Sequence, residues 1–305
     1  MKNFIKNNKS LFVKTCITLG LILMFILLCI LKSSRDICEA YSRGFGRVIF
    51  TVFAAVSKYF PISMTELFAV CSIISVIVWI VSFIKNLRKK NVLKGIEKVV
   101  NIVMLGCAIL TTYTATMELQ YNRKSLPIPL YQENVDKSQF MEILNYFVDD
   151  YNDCTSKLKF KENGDVISPY SITDINIKLA KEFERLNEER FGGYFGKFTT
   201  NVKPMMSSEL YSQLQITGLT FGCFGEANVN TAAPTSAIPF VMAHELAHTK
   251  GVLREDDANL VALFLMLTSE DYFFRFSGYF YSFYRVIPLA FYTGNESDYA
   301  TIRAG

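Results

Sequence analysis

Histidine is scarce in this chain, and closely paired cysteines are absent. Only two of its 305 residues are histidine, so a zinc site with three histidine ligands is excluded. The seven cysteines are scattered without a CxxC pair or another metal-binding spacing. Cys154 and Cys223 are the only cysteines after residue 118. They could pair in an oxidising compartment, but we expect two buried free thiols.

Nucleic-acid recognition also has no support, because no motif combines basic and aromatic residues in the required way. The net charge of +4 comes mostly from lysines and arginines beside apolar segments. Such a distribution indicates contact with a membrane surface. The expected partners are therefore the lipid bilayer and a peptide or protein substrate, membrane-associated substrates included, and no nucleic acid.

Three apolar stretches near the N-terminus contain no charged residue. Each is long enough for a helix to cross a bilayer, which takes roughly 17–25 residues. These predicted spans are residues 15–31, 67–84 and 99–117. The third is the weakest, since it contains Asn101 and several threonines. No uncharged apolar run of this length follows residue 118. We therefore expect a membrane region at 1–125 and a water-facing domain at 126–305.

The first span is interpreted as an uncleaved anchor. A cleaved signal peptide would be followed by small residues in a small-x-small pattern, whereas Lys32-Ser33-Ser34-Arg35 follows here. Residues 36–60 have apolar positions at helical spacing and precede Pro61. They predict one amphipathic helix, too short to span, that lies on the membrane or packs on the domain.

The distribution of lysine and arginine predicts the orientation in the membrane. Basic residues cluster before the first span and between the second and third spans, at 85–98. Both clusters are expected to be cytoplasmic, which places 32–66 and the domain outside the cell membrane. The 32–66 loop also carries basic residues, which weakens this asymmetry.

The domain is expected to be mainly helical, with a small β edge. Helical periodicity covers 138–159 and 171–190, and Gly192-Gly193 ends the second helix. Residues 214–232 alternate roughly between apolar and polar and are interrupted by glycines, which predicts short strands or an irregular hairpin. The aromatic stretch 272–292 is predicted to be helical, with Pro288 bending or ending it.

Another helix is expected from about Ser236, a candidate cap, with Pro239 in its first turn and Gly251 at its end. Both histidines lie inside this helix, in the sequence His244-Glu245-Leu246-Ala247-His248. This is an HExxH motif: four-residue spacing places both imidazoles on one helix face, where they can bind the same zinc ion. Glu245 can then accept a proton from a water held by the metal.

The third ligand must be a carboxylate or a thiolate. Glu255 is the preferred candidate, because Gly251 reverses the chain and returns the start of the next helix to the histidine face. Asp256 and Asp257 are rivals, and Cys223 is a remote alternative. Asn259, one helical turn after Glu255, is placed for a hydrogen bond to a ligand. Several residues could stabilise an oxyanion or simply pack in the core: Tyr279, Tyr281, Tyr284, Arg254 and Arg275.

Four further stretches are distinctive: CEAYSRGFGRVIF through KYFPISMTELF, LQYNRKSLP, GLTFGCFGEANVN and IPFVMAHELAHTKGVLREDDANLVA. Through them the sequence resembles, between about residues 38 and 285, the domain-of-unknown-function 3810 family of bacterial membrane-anchored proteins with an HExxH motif. The resemblance implies a membrane-bound zincin without an established substrate. The family often has Glu at the position of Asp257, which keeps that residue a candidate ligand.

A looser similarity is to HtpX-like membrane proteases, in which a glutamate ligand begins an ExxxD helix; Glu255 and Asn259 have the same offset. Here the insert after HExxH is much shorter, and Asn replaces Asp. In zincins generally, a strand edge beside the active-site helix pairs with an extended substrate. By that resemblance, 218–230 would form the edge, and Glu226, Asn228 and Asn230 would line the groove or serve as turn residues.

The sequence thus predicts a membrane-anchored zinc metallopeptidase: three N-terminal transmembrane helices followed by a zincin-like, mostly helical α+β domain. His244, His248 and Glu255 would hold Zn2+, and Glu245 would act as the base. The alternative is a non-catalytic zinc-binding membrane sensor or scaffold protein.

Overall fold

The computed structural model describes residues 8–90, 92–126 and 136–293, except for the side chains of 137 and 284–293. The chain divides into two compact units. The first unit comprises residues 1–124 together with 221–226, and the second comprises 125–220 and 227–305.

The described part of the first unit is helical. Its helices are α1 (Lys9–Leu31), α2 (Arg35–Arg43), α3 (Phe45–Ser57), α4 (Met64–Arg88) and α5 (Val92–Tyr121). Helices α1, α4 and α5 are long and apolar enough to cross a membrane, and they contain the three predicted spans. The third and weakest prediction falls in the longest helix, of 30 residues, which includes a π-helical turn at Thr114–Glu118. The helices indicate a membrane protein.

The expected single helix over 36–60 is wrong, because two helices occupy this region. Helix α2 ends at Arg43 and α3 begins at Phe45, while Gly44 between them has a non-helical backbone conformation with φ −104° and ψ −108°. Apolar spacing continues through the break, which is why periodicity alone did not reveal it. Both helices are shorter than a membrane span.

A buried carboxylate holds the 221–226 segment within the first unit. Glu226 is fully buried and accepts hydrogen bonds from the hydroxyls of Ser57 (2.7 Å) and Ser63 (3.0 Å). It also accepts from the backbone amides of Met64 (3.1 Å) and Thr65 (3.3 Å). These amides belong to the first turn of α4, so the carboxylate lies at the positive end of the helix dipole.

We expect Glu226→Gln to destabilise the protein by about 2 kcal/mol, because a buried carboxamide accepts fewer of these hydrogen bonds and adds a buried donor. The measurement is the melting temperature of the full chain in detergent. The matched control is Glu142→Gln, which makes the same change at an exposed position. Equal melting temperatures for the two variants would contradict this assignment.

The second unit is also mostly helical. Its helices are α6 (Lys137–Ser156), α7 (Ile172–Glu189), α8 (Ser208–Gln213), α9 (Ile238–Thr249), α10 (Glu255–Leu267) and α11 (Tyr272–Thr293). The predicted helices at 138–159, 171–190 and 272–292 are therefore confirmed. Asp136 and Ser171 form capping boxes at the starts of α6 and α7. Helix α11 continues past Pro288, so the prediction that this proline could end it is wrong.

A small sheet accompanies these helices, as expected for 214–232. Its strands are β1 (Val202–Pro204), β2 (Gly218–Phe221) and β3 (Glu226–Val229), in the order β1-β3-β2. Strand β1 pairs with β3 in parallel, with Val202 opposite Ala227. Strand β2 therefore occupies an edge of the sheet.

Helix α9 is the centre of the second unit. Every residue of it is buried except His244 and Thr249, which are half-buried, as expected for a helix that is apolar on nearly all sides. It packs against α10 and α11. The predicted cap at Ser236 is wrong: Ser236 lies in a 3-10 turn at Thr235–Ala237 that precedes the helix. The amide of Phe240 in the first turn instead donates to the Ser277 hydroxyl of α11 (3.1 Å).

Candidate metal centre

The two histidines and Glu255 converge on one point. His244 and His248 lie one turn apart on α9, with ring centroids 4.5 Å apart. Their Nε2 atoms lie 3.2 Å and 3.5 Å from the two carboxylate oxygens of Glu255 at the start of α10. One ligand atom from each residue lies within 4.8 Å of the others. Ligands of a tetrahedral zinc ion are about 3.3 Å apart, so small movements would suffice to bind one.

The turn after α9 orients His248. Gly251 has φ +87°, and the amides of Gly251 and Val252 donate to the carbonyls of His248 (3.0 Å) and Ala247 (3.1 Å). This is a Schellman motif, for which glycine is the favoured residue. It returns the Val252 carbonyl to His248, where the oxygen lies 2.8 Å from Nδ1. In the neutral imidazole the proton therefore lies on Nδ1, and Nε2 has a lone pair for a metal.

His244 is held differently. Its Nδ1 is buried and has no hydrogen-bond partner among the residues that the structure describes. Its ring instead packs edge-on against His248, at an interplanar angle of 82°. His244 is therefore positioned by this packing and by the contact of its Nε2 with Glu255, whereas the ring of His248 is also held through Nδ1.

The three side chains of the cluster interact electrostatically. Hydrogen bonds from His244 and His248 hold the pKa of the Glu255 carboxyl well below its usual range. Burial opposes the charged form of His248, but the hydrogen bonds to Glu255 and to the Val252 carbonyl and the charges of Glu245 and Glu255 together outweigh it and raise the pKa of this imidazole. The Glu255 side chain is 71% exposed, so the cluster is open to solvent on that side. Two imidazole nitrogens and one carboxylate with an open side fit a zinc site that retains water.

The rival ligands are not members of this cluster. Asp256 is exposed and Asp257 is buried; Asp257 lies 3.7 Å from Nε of Arg254, and burial raises the pKa of its carboxyl. Cys223 belongs to the first unit. Within the described ranges, the cluster that includes the histidines and could hold a metal ion is completed by Glu255 alone.

Comparison with known proteins gives a family. The model of the family described as "Protein of unknown function (DUF3810)" matches residues 41–305. The chain belongs to this family. No curated protein matches the sequence, and no solved structure matches it. The looser similarity to HtpX-like membrane proteases has no support from these comparisons.

The hydrogen bond predicted between Asn259 and a metal ligand is not found among the described residues. The side-chain oxygen of Asn259 accepts from the Tyr281 hydroxyl (2.9 Å), and the Tyr281 ring stacks on Phe240 with centroids 3.5 Å apart. This contact ties α10 to α11. Asn259 therefore supports the packing of the helix that begins with Glu255.

Most of the candidate oxyanion groups have other partners. Tyr279 and Arg275 both bind Asp150 on α6, at 2.6 Å and 3.1 Å, and Tyr279 is buried. Core packing is therefore the better interpretation for these two. The Tyr284 side chain lies outside the described residues. Arg254 remains partly exposed at the start of α10, directly before Glu255.

The residues predicted to line a substrate groove do not lie at the surface. Glu226, Asn228 and Asn230 are each at most 1% exposed. The side-chain amide of Asn228 donates to the Leu219 carbonyl (3.2 Å), and that of Asn230 donates to the Ile216 carbonyl (2.9 Å). Asn228 lies on β3, the middle strand of the sheet, where neighbours on both sides leave little surface.

The cysteine prediction is confirmed only in part. Cys154 is a buried free thiol, whereas Cys223 is a free thiol of intermediate burial. Burial raises the pKa of both thiols, which disfavours a thiolate ligand.

Sequence reasoning missed the Val252 carbonyl and Lys250. The Lys250 ammonium group donates to the carbonyls of Gly196 (3.1 Å) and Phe198 (2.9 Å) and to the Thr199 hydroxyl (2.9 Å). It ties the end of α9 to the 196–199 segment. Gly251 signalled the chain reversal, but no sequence pattern identifies which carbonyl meets His248.

We expect Gly251→Ala to weaken zinc binding by about 10–100-fold, because the strained turn would move the carbonyl that orients His248. The left-handed conformation itself costs a side chain about 1–2 kcal/mol. Gly164→Ala is the matched control, since Gly164 has φ +83° and open space around it. Zinc affinity is measured by competition with a chelating dye. Equal zinc affinities in the two variants would show that the turn does not orient the ligand.

Proposed function

We propose that this protein is a membrane-anchored zinc-dependent peptidase with a zincin-like second unit. The convergence of His244, His248 and Glu255, with an open side and Glu245 next to the first histidine, carries this proposal. Bound zinc would polarise a water and the carbonyl of the scissile peptide bond.

The residues of the chain would supply the remaining chemistry. His244, His248 and Glu255 hold the ion, and Glu245 accepts a proton from the attacking water. Glu245 then returns that proton to the leaving amine as the peptide bond breaks. Burial raises the pKa of the Glu245 carboxyl, which makes it a better proton acceptor than an exposed glutamate.

An extended peptide is the substrate class that suits the edge of the sheet. Strand β2 has β3 on one side and is an edge strand within the described sheet. A peptide could add to such an edge through backbone hydrogen bonds. The second unit is proposed to lie outside the cytoplasm, because lysine and arginine are concentrated around the start of α1 and around the junction of α4 and α5.

Two observations favour the enzyme over a zinc-binding sensor or scaffold. Among the described residues, the cluster offers three protein ligands, which leaves a coordination position for water. The Glu245 carboxylate is paired with a hydroxyl group, that of Thr220, at 2.6 Å. A structural zinc site would instead be closed by a fourth protein ligand.

The test is peptide cleavage by the purified full chain in lipid nanodiscs. The probe is a library of internally quenched peptides. Cleavage should fall to background after chelation with phenanthroline and return when stoichiometric zinc is added. Cleavage that persists in the metal-free protein would refute the proposal, as would a fully zinc-loaded protein that cleaves no member of the library.

A further inference from the structure

The Glu245 carboxylate is held by strand β2. The Thr220 hydroxyl lies 2.6 Å from Oε2 of Glu245 and 3.1 Å from its backbone carbonyl oxygen. Thr220 and Glu245 are both buried. A hydroxyl group at this distance is a short hydrogen-bond donor to the carboxylate. It restricts rotation about the terminal bonds of the Glu245 side chain.

Gly218 on the same strand provides the space for this carboxylate. A Cβ atom at position 218 would lie 2.7 Å from Cγ and 2.9 Å from Cδ of Glu245, and closer still to Oε1. The backbone of Gly218 has an ordinary negative φ, so conformational freedom does not explain the glycine. The lack of a side chain explains the glycine, because any larger residue would displace the Glu245 carboxylate.

We propose that Thr220 and Gly218 are positioning residues for the proposed peptidase reaction: the threonine hydroxyl and the glycine backbone fix the Glu245 carboxylate in one orientation. The two observations are independent, since one is a hydrogen bond and the other a steric fit. They act on the same side chain from the same strand. This inference rests on the proposed function and assigns β2 a role in orienting the base.

The two residues should affect turnover and leave substrate affinity almost unchanged. Misplacement of a reacting group by about 1 Å can cost roughly a hundredfold in rate. Thr220→Val keeps the shape of the side chain and removes the hydroxyl, so we expect kcat to fall about 10–100-fold with KM nearly constant. Thr220→Ser keeps the hydroxyl and should restore most of kcat.

Gly218→Ala should lower kcat in the same way, with zinc content retained, because the added methyl group meets the Glu245 side chain. Gly278→Ala is the matched control. There a Cβ atom would lie 2.6 Å from Cβ of Met266, between α10 and α11, with no contact to Glu245 among its nearest atoms. This control should lower the melting temperature and leave kcat of the folded fraction unchanged.

A second measurement needs no activity. In metal-free protein, Thr220→Val should lower the melting temperature by a few degrees more with Glu245 present than in a Glu245→Met background. The difference isolates the hydroxyl–carboxylate contact from the contact with the backbone carbonyl.

These outcomes separate the inference from the proposed function. If Thr220→Val retains the kcat of the wild type while Glu245→Gln is inactive, the peptidase stands and the positioning role is refuted. If the wild type cleaves no peptide, the proposed function fails. The melting temperatures then test only whether the Thr220 hydroxyl contacts the Glu245 carboxylate. Additive effects of Thr220→Val and Glu245→Met on the melting temperature would refute this contact.

Discussion

Replacement of Glu245 by glutamine is expected to lower kcat for peptide cleavage by about a thousandfold, with zinc content unchanged. Glutamine has nearly the same shape as glutamate, and its side-chain oxygen can still accept from the Thr220 hydroxyl. It cannot take a proton from water. Since Glu245 does not belong to the cluster of His244, His248 and Glu255, the ligands remain in place.

The measurements are kcat on the best-cleaved quenched peptide and zinc per chain by mass spectrometry. Glu209→Gln, at an exposed position of α8, is the matched control and should behave as the wild type. A Glu245→Gln protein that loads zinc and cleaves at the rate of the wild type would show that this carboxylate is not the base.

Replacement of Glu255 by glutamine is expected to weaken zinc binding by more than about a hundredfold. Loss of a residue that merely supports a ligand already costs about 10–100-fold, and Glu255 is assigned to the metal itself. The change also removes the negative charge that both imidazoles contact. Zinc affinity is measured by competition with a chelating dye at constant pH.

The neighbouring acids provide matched controls. Asp256→Asn removes an equal charge from the exposed residue that follows Glu255 in the sequence. Asp257→Asn removes a buried carboxyl near Arg254. Both should keep zinc affinity within about threefold of the wild type, as expected for residues outside the cluster. If Asp257→Asn releases zinc and Glu255→Gln retains it, the third ligand has been assigned to the wrong residue.

Local sequence signals predicted the helices of the metal centre. Helix geometry places His244 and His248, four residues apart, on one face, and Gly251 marks a common helix-ending turn that reverses the chain. The apolar spans depend on composition over a single segment and were equally visible. In each case the determining interactions lie within a few residues of one another.

Interactions between distant segments could not be predicted. Glu226 binds Ser57 and Ser63, more than 160 residues earlier in the chain, and no local pattern connects them. The sequence left Asn228 as a groove residue or a turn residue, because it does not show that β1 pairs with β3 on the side opposite β2. The role of Thr220 could not be predicted either, since it depends on which strand lies beside α9.

The most direct test of the metal centre is zinc K-edge X-ray absorption on the purified full chain. We predict one zinc per chain, bound by two imidazole nitrogens at about 2.0–2.1 Å and by carboxylate and water oxygens at about 2.0–2.2 Å. A protein without stoichiometric zinc, or one whose zinc has sulfur neighbours at about 2.3 Å, would contradict the assignment of His244, His248 and Glu255.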